Sequence, residues 1–216
     1  MDNKKLIAGF GYQEGRISSW DGKRTYTASA PQLAKDCCDN GADEILIYDW
    51  SVTDEDHEAA IAVIKEVCRE ADAPVIAGGR VKRMEDVKKY LYAGASAVFL
   101  DMSKEENADM IKEASDRFGK EKIYAYLPTD AYLEQVKQYE AAGASVMLLN
   151  TAGSVPSLLE MASISDSEMP FMFFLQAKDD AKETAESLKN AFGCGNICGA
   201  VLTFTEDTMD SSMNIK

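Results

Sequence analysis

A stretch that begins with glycine and alanine and continues into an apolar run recurs along the chain. The clear copies are GADEILIYDW from Gly41, GASAVFLDMS from Gly94 and GASVMLLNTA from Gly143, and GNICGAVLTF from Gly195 is a weaker fourth copy. Consecutive copies lie about fifty residues apart, which is longer than one strand–helix unit and suits two. The repeat therefore predicts a fold built from four similar pairs of strand–helix units.

Four other apolar runs lie between these copies. They occupy residues 5–12, 74–79, 122–128 and 170–176 and contain β-branched or aromatic residues. Apolar runs without polar alternation are typical of strands that are covered on both faces. With the four copies they give eight strands. Helical patterns separate the strands and cover residues 30–40, 55–71, 83–93, 107–118, 130–142, 155–163 and 181–192.

Strict alternation of strands and helices predicts a parallel sheet, and eight units in 216 residues predict an α/β fold of one kind: a (β/α)8 TIM barrel with short loops. The alternative is a doubly wound open sheet, but such a sheet must reverse its strand order in the middle, which a fourfold repeat does not favour. We expect one barrel domain over residues 1–216. Only the residues TEDTMDSSMNIK follow strand eight, so we expect either a short last helix or a chain excised from a longer one.

The composition of the chain argues against several classes of binding partner. The formal net charge of −14 argues against nucleic acid, because binding to a phosphodiester backbone needs clustered Lys and Arg. No apolar run reaches the roughly 20 residues that a membrane helix needs, so we expect a cytoplasmic protein without a membrane partner. The five cysteines fit reduced thiols. Cys194 and Cys198 have no second pair and His57 is the sole histidine, so no metal site and no cofactor are expected.

Candidate functional residues follow the strands, since catalysis in such barrels lies at the carboxyl ends of the strands. Asp49 and Asp101 are the two carboxylates in these positions. A pair of carboxylates can do acid–base work if burial separates their pKa values. The competing interpretation is that each caps the following helix or binds a loop amide, as aspartate commonly does.

Two further groups could bind a ligand. Gly78 and Gly79 would let backbone amides approach a phosphate, and Arg80 could pair with it, although a plain turn also uses glycine. The longest loop, between strand one and the first helix, carries Arg16, Trp20 and Arg24, and long loops at this face often close over ligands. A phosphorylated or planar substrate could be held there, but a surface hairpin is an equal alternative.

Three stretches resemble a known family. KKLIAGFGYQEGR, APQLAKDCCDNGADEILIYDWSVTDE and PVIAGGRVKRMEDVKKYLYAGASAVFLDMS are similar to the histidine-biosynthesis barrels, which include the cyclase subunit of imidazole glycerol phosphate synthase and phosphoribosylformimino ribonucleotide isomerase. The resemblance covers roughly residues 4–150. It implies a (β/α)8 barrel and a phosphoribosyl-type ligand.

The resemblance also implies where catalytic groups should stand. The family places catalytic acids at the ends of strands one and five, where this chain has Gly11 and Pro128. The cyclase lysine falls near Ser19, although Gly15 and Arg16 of its motif are present. Because neither Gly11 nor Pro128 can transfer a proton, the resemblance implies fold and pathway more strongly than activity.

The ligand positions of the family are retained in part. Asp49 matches the acid after strand two, Gly78 and Gly79 match the first glycines of the phosphate loop after strand three, and Arg80 replaces the third. The second phosphate loop of the family, after strand seven, falls on FLQAKDD, which has no glycine.

Three hypotheses result. The first is a degenerate barrel with a structural, docking or weak phosphoribosyl-ligand-binding role. Such a barrel resembles the N-terminal domain of some bifunctional phosphoribosyl-AMP cyclohydrolase/phosphoribosyl-ATP pyrophosphatase chains. Downstream histidine-biosynthesis domains would then be its partners. The second is an active isomerase or cyclase that uses relocated carboxylates, Asp49 and Asp101. The third is a module that senses a phosphoribosyl nucleotide without transforming it.

Overall fold

The computed structural model describes residues 4–151, 164, 167–176, 181–193 and 196–203. Within them, ten strands form one sheet. The strands are β1 (Lys5–Gln13), β2 (Arg16–Ser18), β3 (Thr25–Tyr26), β4 (Glu44–Asp49), β5 (Val75–Gly78), β6 (Ala97–Asp101), β7 (Ile123–Leu127), β8 (Val146–Leu149), β9 (Phe171–Gln176) and β10 (Ile197–Thr203).

Eight of these strands close into a ring. The order β1-β4-β5-β6-β7-β8-β9-β10 is parallel throughout, and β10 pairs in parallel with β1, from Lys5 opposite Gly199 to Gly9 opposite Thr203. The prediction of a (β/α)8 barrel is confirmed, and the closing pair of strands excludes the open sheet. The other two strands, β2 and β3, extend β1 as an antiparallel hairpin within the loop before the first helix.

In the part of the chain that the structure describes, helices lie between the strands and cover the outside of the ring. They are α1 (Ala30–Asp39), α2 (Asp54–Glu70), α3 (Met84–Ala93), α4 (Glu105–Phe118), α5 (Val136–Ala142) and α6 (Ala181–Ala191), with 3-10 turns at Lys120–Lys122 and Asp130–Gln135. Thr53 caps α2, since its hydroxyl accepts the backbone N–H of Asp56 at 3.1 Å. The helix predicted over 155–163 and the short last helix predicted after strand eight lie outside the described residues.

The repeated glycine marks the end of a helix. Gly41, Gly94 and Gly143 have φ angles of 98°, 111° and 108°, and each follows α1, α3 or α5 directly or by one residue. This left-handed conformation ends helices because it turns the chain back toward the next strand, and only glycine adopts it without steric cost. The repeat read from the sequence is therefore the repeated turn from helix to strand.

The core has two layers, because alternate residues of each strand face opposite sides of the sheet. One layer lies between the sheet and the helices, and the other fills the inside of the ring. The buried residues of the inner layer are Ile7, Trp20, Leu46, Tyr48, Ile76, Ala97, Phe99, Tyr126, Val146, Leu148, Met172, Phe174 and Val201. In the described part of the chain, no helix has both the length and the apolar character to cross a bilayer.

Candidate functional site at the barrel mouth

Aromatic side chains fill the inside of the ring near the carboxyl ends of the strands. Trp20, from the hairpin that follows β1, inserts there and is only 8% exposed. Its indole lies 4.5 Å from the ring of Phe174, 5.3 Å from Tyr48, 5.8 Å from Tyr126 and 6.3 Å from Phe99, measured between centroids. Enzymes of this fold bind substrate at the carboxyl ends of the strands, and in this chain the indole of Trp20 occupies that place.

Polar contacts hold Trp20 in that position. Its Nε1 donates to the Tyr126 hydroxyl at 3.1 Å, and Asn150 Nδ2 donates to the same oxygen at 3.0 Å. The Trp20 carbonyl accepts from Trp50 Nε1 at 3.1 Å, and the Trp50 ring stacks on Tyr48 with centroids 4.0 Å apart. Burial raises the pKa of Tyr126 to about 12, so its hydroxyl stays protonated near neutral pH. The hairpin is thus fastened over the mouth from two sides.

The position that the family gives to its first catalytic acid has no room for a side chain. A Cβ on Gly11 would lie 2.2 Å from Ser18 Oγ, 2.7 Å from the Ser19 carbonyl oxygen and 2.8 Å from Trp50 Cδ1. Contacts below 3.0 Å require a neighbour to move, and one of these atoms belongs to the backbone. The hairpin thus occupies the space in which an acid at residue 11 would stand.

Of the two predicted carboxylates, Asp101 faces the inside of the mouth. It is 5% exposed, and its Oδ2 accepts the Tyr48 hydroxyl at 2.5 Å. Its Oδ1 accepts both the backbone N–H of Ser103 at 2.9 Å and the Ser103 hydroxyl at 2.7 Å. Burial and the adjacent Asp101 carboxylate raise the pKa of Tyr48 well above its ordinary value, so Tyr48 acts as the donor. Asp101 therefore binds the loop before α4 through Ser103 and also faces the mouth.

Asp49 faces the other way. Leu46 and Tyr48 belong to the inner layer, so Asp49, one residue later, points between the sheet and the helices. It is 1% exposed, and it binds the Ser51 backbone N–H at 2.9 Å, His57 Nδ1 at 2.7 Å and the Tyr90 hydroxyl at 2.8 Å. Asp49 and Asp101 therefore lie on opposite faces of the sheet and do not form a facing acid–base pair.

The turn after β5 carries the predicted phosphate residues. Gly79 has φ 101°, and a Cβ there would lie 2.4 Å from Tyr48 Cε1, so glycine is required. Arg80 is 3% exposed, and its guanidinium donates to Asp54 Oδ1 at 2.6 Å. That ion pair holds the pKa of Asp54 below its ordinary value. An anion that reached Arg80 would have to compete with Asp54.

Lys104 is a basic residue of this region that the sequence analysis did not single out. Its Nζ donates to the carbonyl oxygen of Gly79. Burial lowers the pKa of Lys104, and the nearby Asp101 opposes that shift. Its position three residues after Asp101, at the start of α4, was the available signal, since residues that follow a strand lie at the mouth.

The other predicted positions are less central. Arg16 and Arg24 are exposed on the hairpin, whereas Trp20 is buried. Pro128, at the second position that the family gives to an acid, is half-buried. Gln176 is exposed at the end of β9, and the residues that follow it lie outside the described part of the chain. Of the three loop residues predicted to bind a ligand, only Trp20 enters the mouth.

Comparison with known proteins agrees with this architecture. The model of a family described as "Histidine biosynthesis protein" matches residues 14–157, which is two thirds of the chain. The chain belongs to the histidine biosynthesis protein family. The resemblance drawn from the three sequence stretches is thereby confirmed.

Curated relatives of this histidine-biosynthesis barrel share part of their length with it. The chain is 31% identical over 116 residues to imidazole glycerol phosphate synthase subunit HisF of Dictyoglomus turgidum, a match that covers 54% of this chain and 42% of the relative. It is 37% identical over 90 residues to the subunit of the same name from Dictyoglomus thermophilum, a match that covers 42% of this chain and 36% of the relative. To the Staphylococcus aureus subunit it is 31% identical over 126 residues, a match that covers 57% of this chain and 50% of the relative. The matches thus span half or less of these relatives.

Proposed function

We propose that this histidine-biosynthesis barrel is a non-catalytic domain with a structural or docking role. The observation that carries the proposal is the mouth itself, which is occupied by Trp20 and has no space for a side chain at Gly11. A ligand would have to displace an indole that touches four aromatic rings and donates a hydrogen bond to Tyr126.

The missing proton-transfer groups support the same proposal. The resemblance to the family places its catalytic acids at Gly11 and Pro128, and neither residue titrates. Loss of one general acid or base typically lowers the rate by about 10²–10⁴-fold, and loss of two leaves little of the chemistry. Asp101 cannot take over with Asp49, because the two carboxylates face opposite sides of the sheet.

The proposal extends to the protein in which the domain works. We propose that it is the N-terminal domain of a cytoplasmic bifunctional phosphoribosyl-AMP cyclohydrolase/phosphoribosyl-ATP pyrophosphatase, as the sequence resemblance implies. The barrel would then position or dock the downstream histidine-biosynthesis domains, and the catalytic activities would belong to those domains.

Turnover assays test this proposal. The purified chain is incubated separately with the substrate of the phosphoribosyl isomerase and with that of the cyclase plus ammonium, and product is followed by absorbance and chromatography. An active relative serves as the positive control. We expect no product above the uncatalysed rate, and turnover within about 10²-fold of the active relative would overturn the proposal.

A second candidate function is the binding of a phosphoryl group at the turn after β5. The observation that favours it is a cluster of cations in an otherwise acidic chain: Arg80, Lys82 and Arg83 on the turn and Lys104 beside it. A ligand that binds only the folded state raises the unfolding temperature. A titration with inorganic phosphate should raise it in the wild-type chain and not in Lys104→Met, and a flat titration in both chains would dismiss this candidate.

A further inference from the structure

The one histidine of the chain lies in a buried polar network behind the mouth. His57 on α2 is 0% exposed and stands between Asp49 at the end of β4 and Asp86 on α3. Tyr90, one turn further along α3, is also 0% exposed and contacts Asp49. The network joins one strand of the barrel to two consecutive helices.

Both carboxylates of the network accept hydrogen bonds, as ionised groups do. Asp49 accepts from the Ser51 backbone, from Tyr90 and from His57. Asp86 is 0% exposed, and its Oδ2 accepts the backbone N–H groups of Lys82 at 3.1 Å and Arg83 at 3.2 Å. Two buried negative charges need a positive charge close by, since an uncompensated buried charge is strongly destabilising.

The geometry of His57 provides that charge. Nδ1 lies 2.7 Å from Asp49 Oδ2, and Nε2 lies 3.7 Å from Asp86 Oδ1. Within the described residues, Nε2 and Asp86 Oδ1 are both buried without a hydrogen-bond partner. A neutral ring that donates Nδ1–H to Asp49 would direct the lone pair of Nε2 at a carboxylate. A ring protonated on both nitrogens directs an N–H at it instead.

We propose that His57 is held as an imidazolium between Asp49 and Asp86, and that this buried charge positions the cationic turn at Gly79–Arg83. Backbone groups of the turn bind side chains of the network. Asp86 binds the amides of Lys82 and Arg83, and the backbone of Arg80 contacts the Tyr90 hydroxyl. His57 thereby acts on the turn through Asp86 and Tyr90 without touching it.

Other ionisable groups surround this network and complete its charge balance. Arg83 Nε lies 3.5 Å and Lys89 Nζ 4.0 Å from Asp86 Oδ1, and Lys89 also pairs with Glu58. The groups that face the network from the packed elements are Tyr12 of β1, Asp49 of β4, Glu58 of α2, Arg80 and Arg83 of the turn, Asp86, Lys89 and Tyr90 of α3, and Lys104 before α4.

Nitrogen NMR of the imidazole tests the charge directly, and a chain with a single histidine gives a single, unambiguous ring spectrum. We expect both ring nitrogens to carry protons in the folded chain at pH 7. A ring protonated only on Nδ1 at pH 7 would overturn the proposal.

Two variants separate the role of Asp86 from a general effect of charge. In Asp86→Asn the carboxylate becomes a neutral group of the same shape, so the ring should lose one proton at pH 7. Glu70→Gln is the matched control, because Glu70 lies at the far end of the same helix and its side chain is 49% exposed. It should leave the ring spectrum unchanged, and an equal response in both variants would contradict the proposal.

Hydrogen exchange tests the positioning of the turn. In His57→Gln the acceptor Asp86 is retained, yet we expect the Lys82 and Arg83 amides to exchange about tenfold faster or more, since their charged acceptor loses its buried counterion and keeps only the side chains of Arg83 and Lys89. The amide of Leu33 in α1 should keep its protection. Unchanged exchange at the turn, or equally faster exchange in α1, would show that His57 does not position the turn.

Discussion

Replacement of Trp20 by alanine tests whether the indole is a packed part of the barrel. The side chain is 8% exposed and contacts the rings of Phe174, Tyr48, Tyr126 and Phe99. Truncation of a buried tryptophan costs about 3–5 kcal/mol of unfolding free energy. Because water can enter the vacated space from the mouth, we expect the lower end of that range, about 3 kcal/mol.

Urea unfolding of the wild-type and variant chains measures this cost. Tyr92→Ala is the control, because Tyr92 is an aromatic residue that is 75% exposed on α3, and its loss should cost less than about 1 kcal/mol. Trp20→Phe retains a ring and should fall between the two. A loss below about 1 kcal/mol for Trp20→Ala, at an unchanged slope with urea, would refute the packing inferred for Trp20.

Three further predictions concern single positions. Gly11→Ala should lower the unfolding free energy by about 1–3 kcal/mol in urea melts, because its Cβ would overlap the hairpin, and a neutral effect would mean that the space is open. The pKa of Asp54 is lowered by Arg80, so the ion pair between them is lost only as the pH falls through that lowered pKa. In Arg80→Met, carboxyl NMR should show the pKa of Asp54 return toward about 3.9. Burial raises the pKa of Cys37 to about 12, so iodoacetamide should label it slowly at pH 8 in the folded chain and rapidly in urea, and equal rates would contradict its burial.

The sequence allowed the ring to be predicted, because its signals are local. Apolar runs predicted the barrel strands, and the Gly-Ala copies predicted their periodicity; the structure explains those copies by the positive φ of Gly41, Gly94 and Gly143. The short strands β2 and β3 were predicted only as one of two alternatives, a surface hairpin, since the loop that contains them lacks an apolar run.

The orientation of the site residues could not be predicted in the same way. Residues 45–48 are apolar on both faces of β4, so no alternation in the sequence shows that Tyr48 faces inward and Asp49 outward. Insertion of Trp20 depends on contacts with strands far along the chain, such as Phe174 of β9. The sequence analysis gave His57 no role in a polar network, because its two buried partners come from other elements.

The account depends on a mouth that is closed by the chain's own indole, and acrylamide quenching of Trp20 fluorescence measures that closure most directly. Trp50→Phe removes the emission of the other tryptophan and the hydrogen bond to the Trp20 carbonyl, but it keeps a ring against Tyr48 and leaves the Trp20 side-chain contacts in place. We predict that Trp20 in this variant is quenched several-fold less than free tryptophan and becomes fully accessible in urea. Quenching in the folded chain at the rate of free tryptophan would show an open mouth and contradict the account.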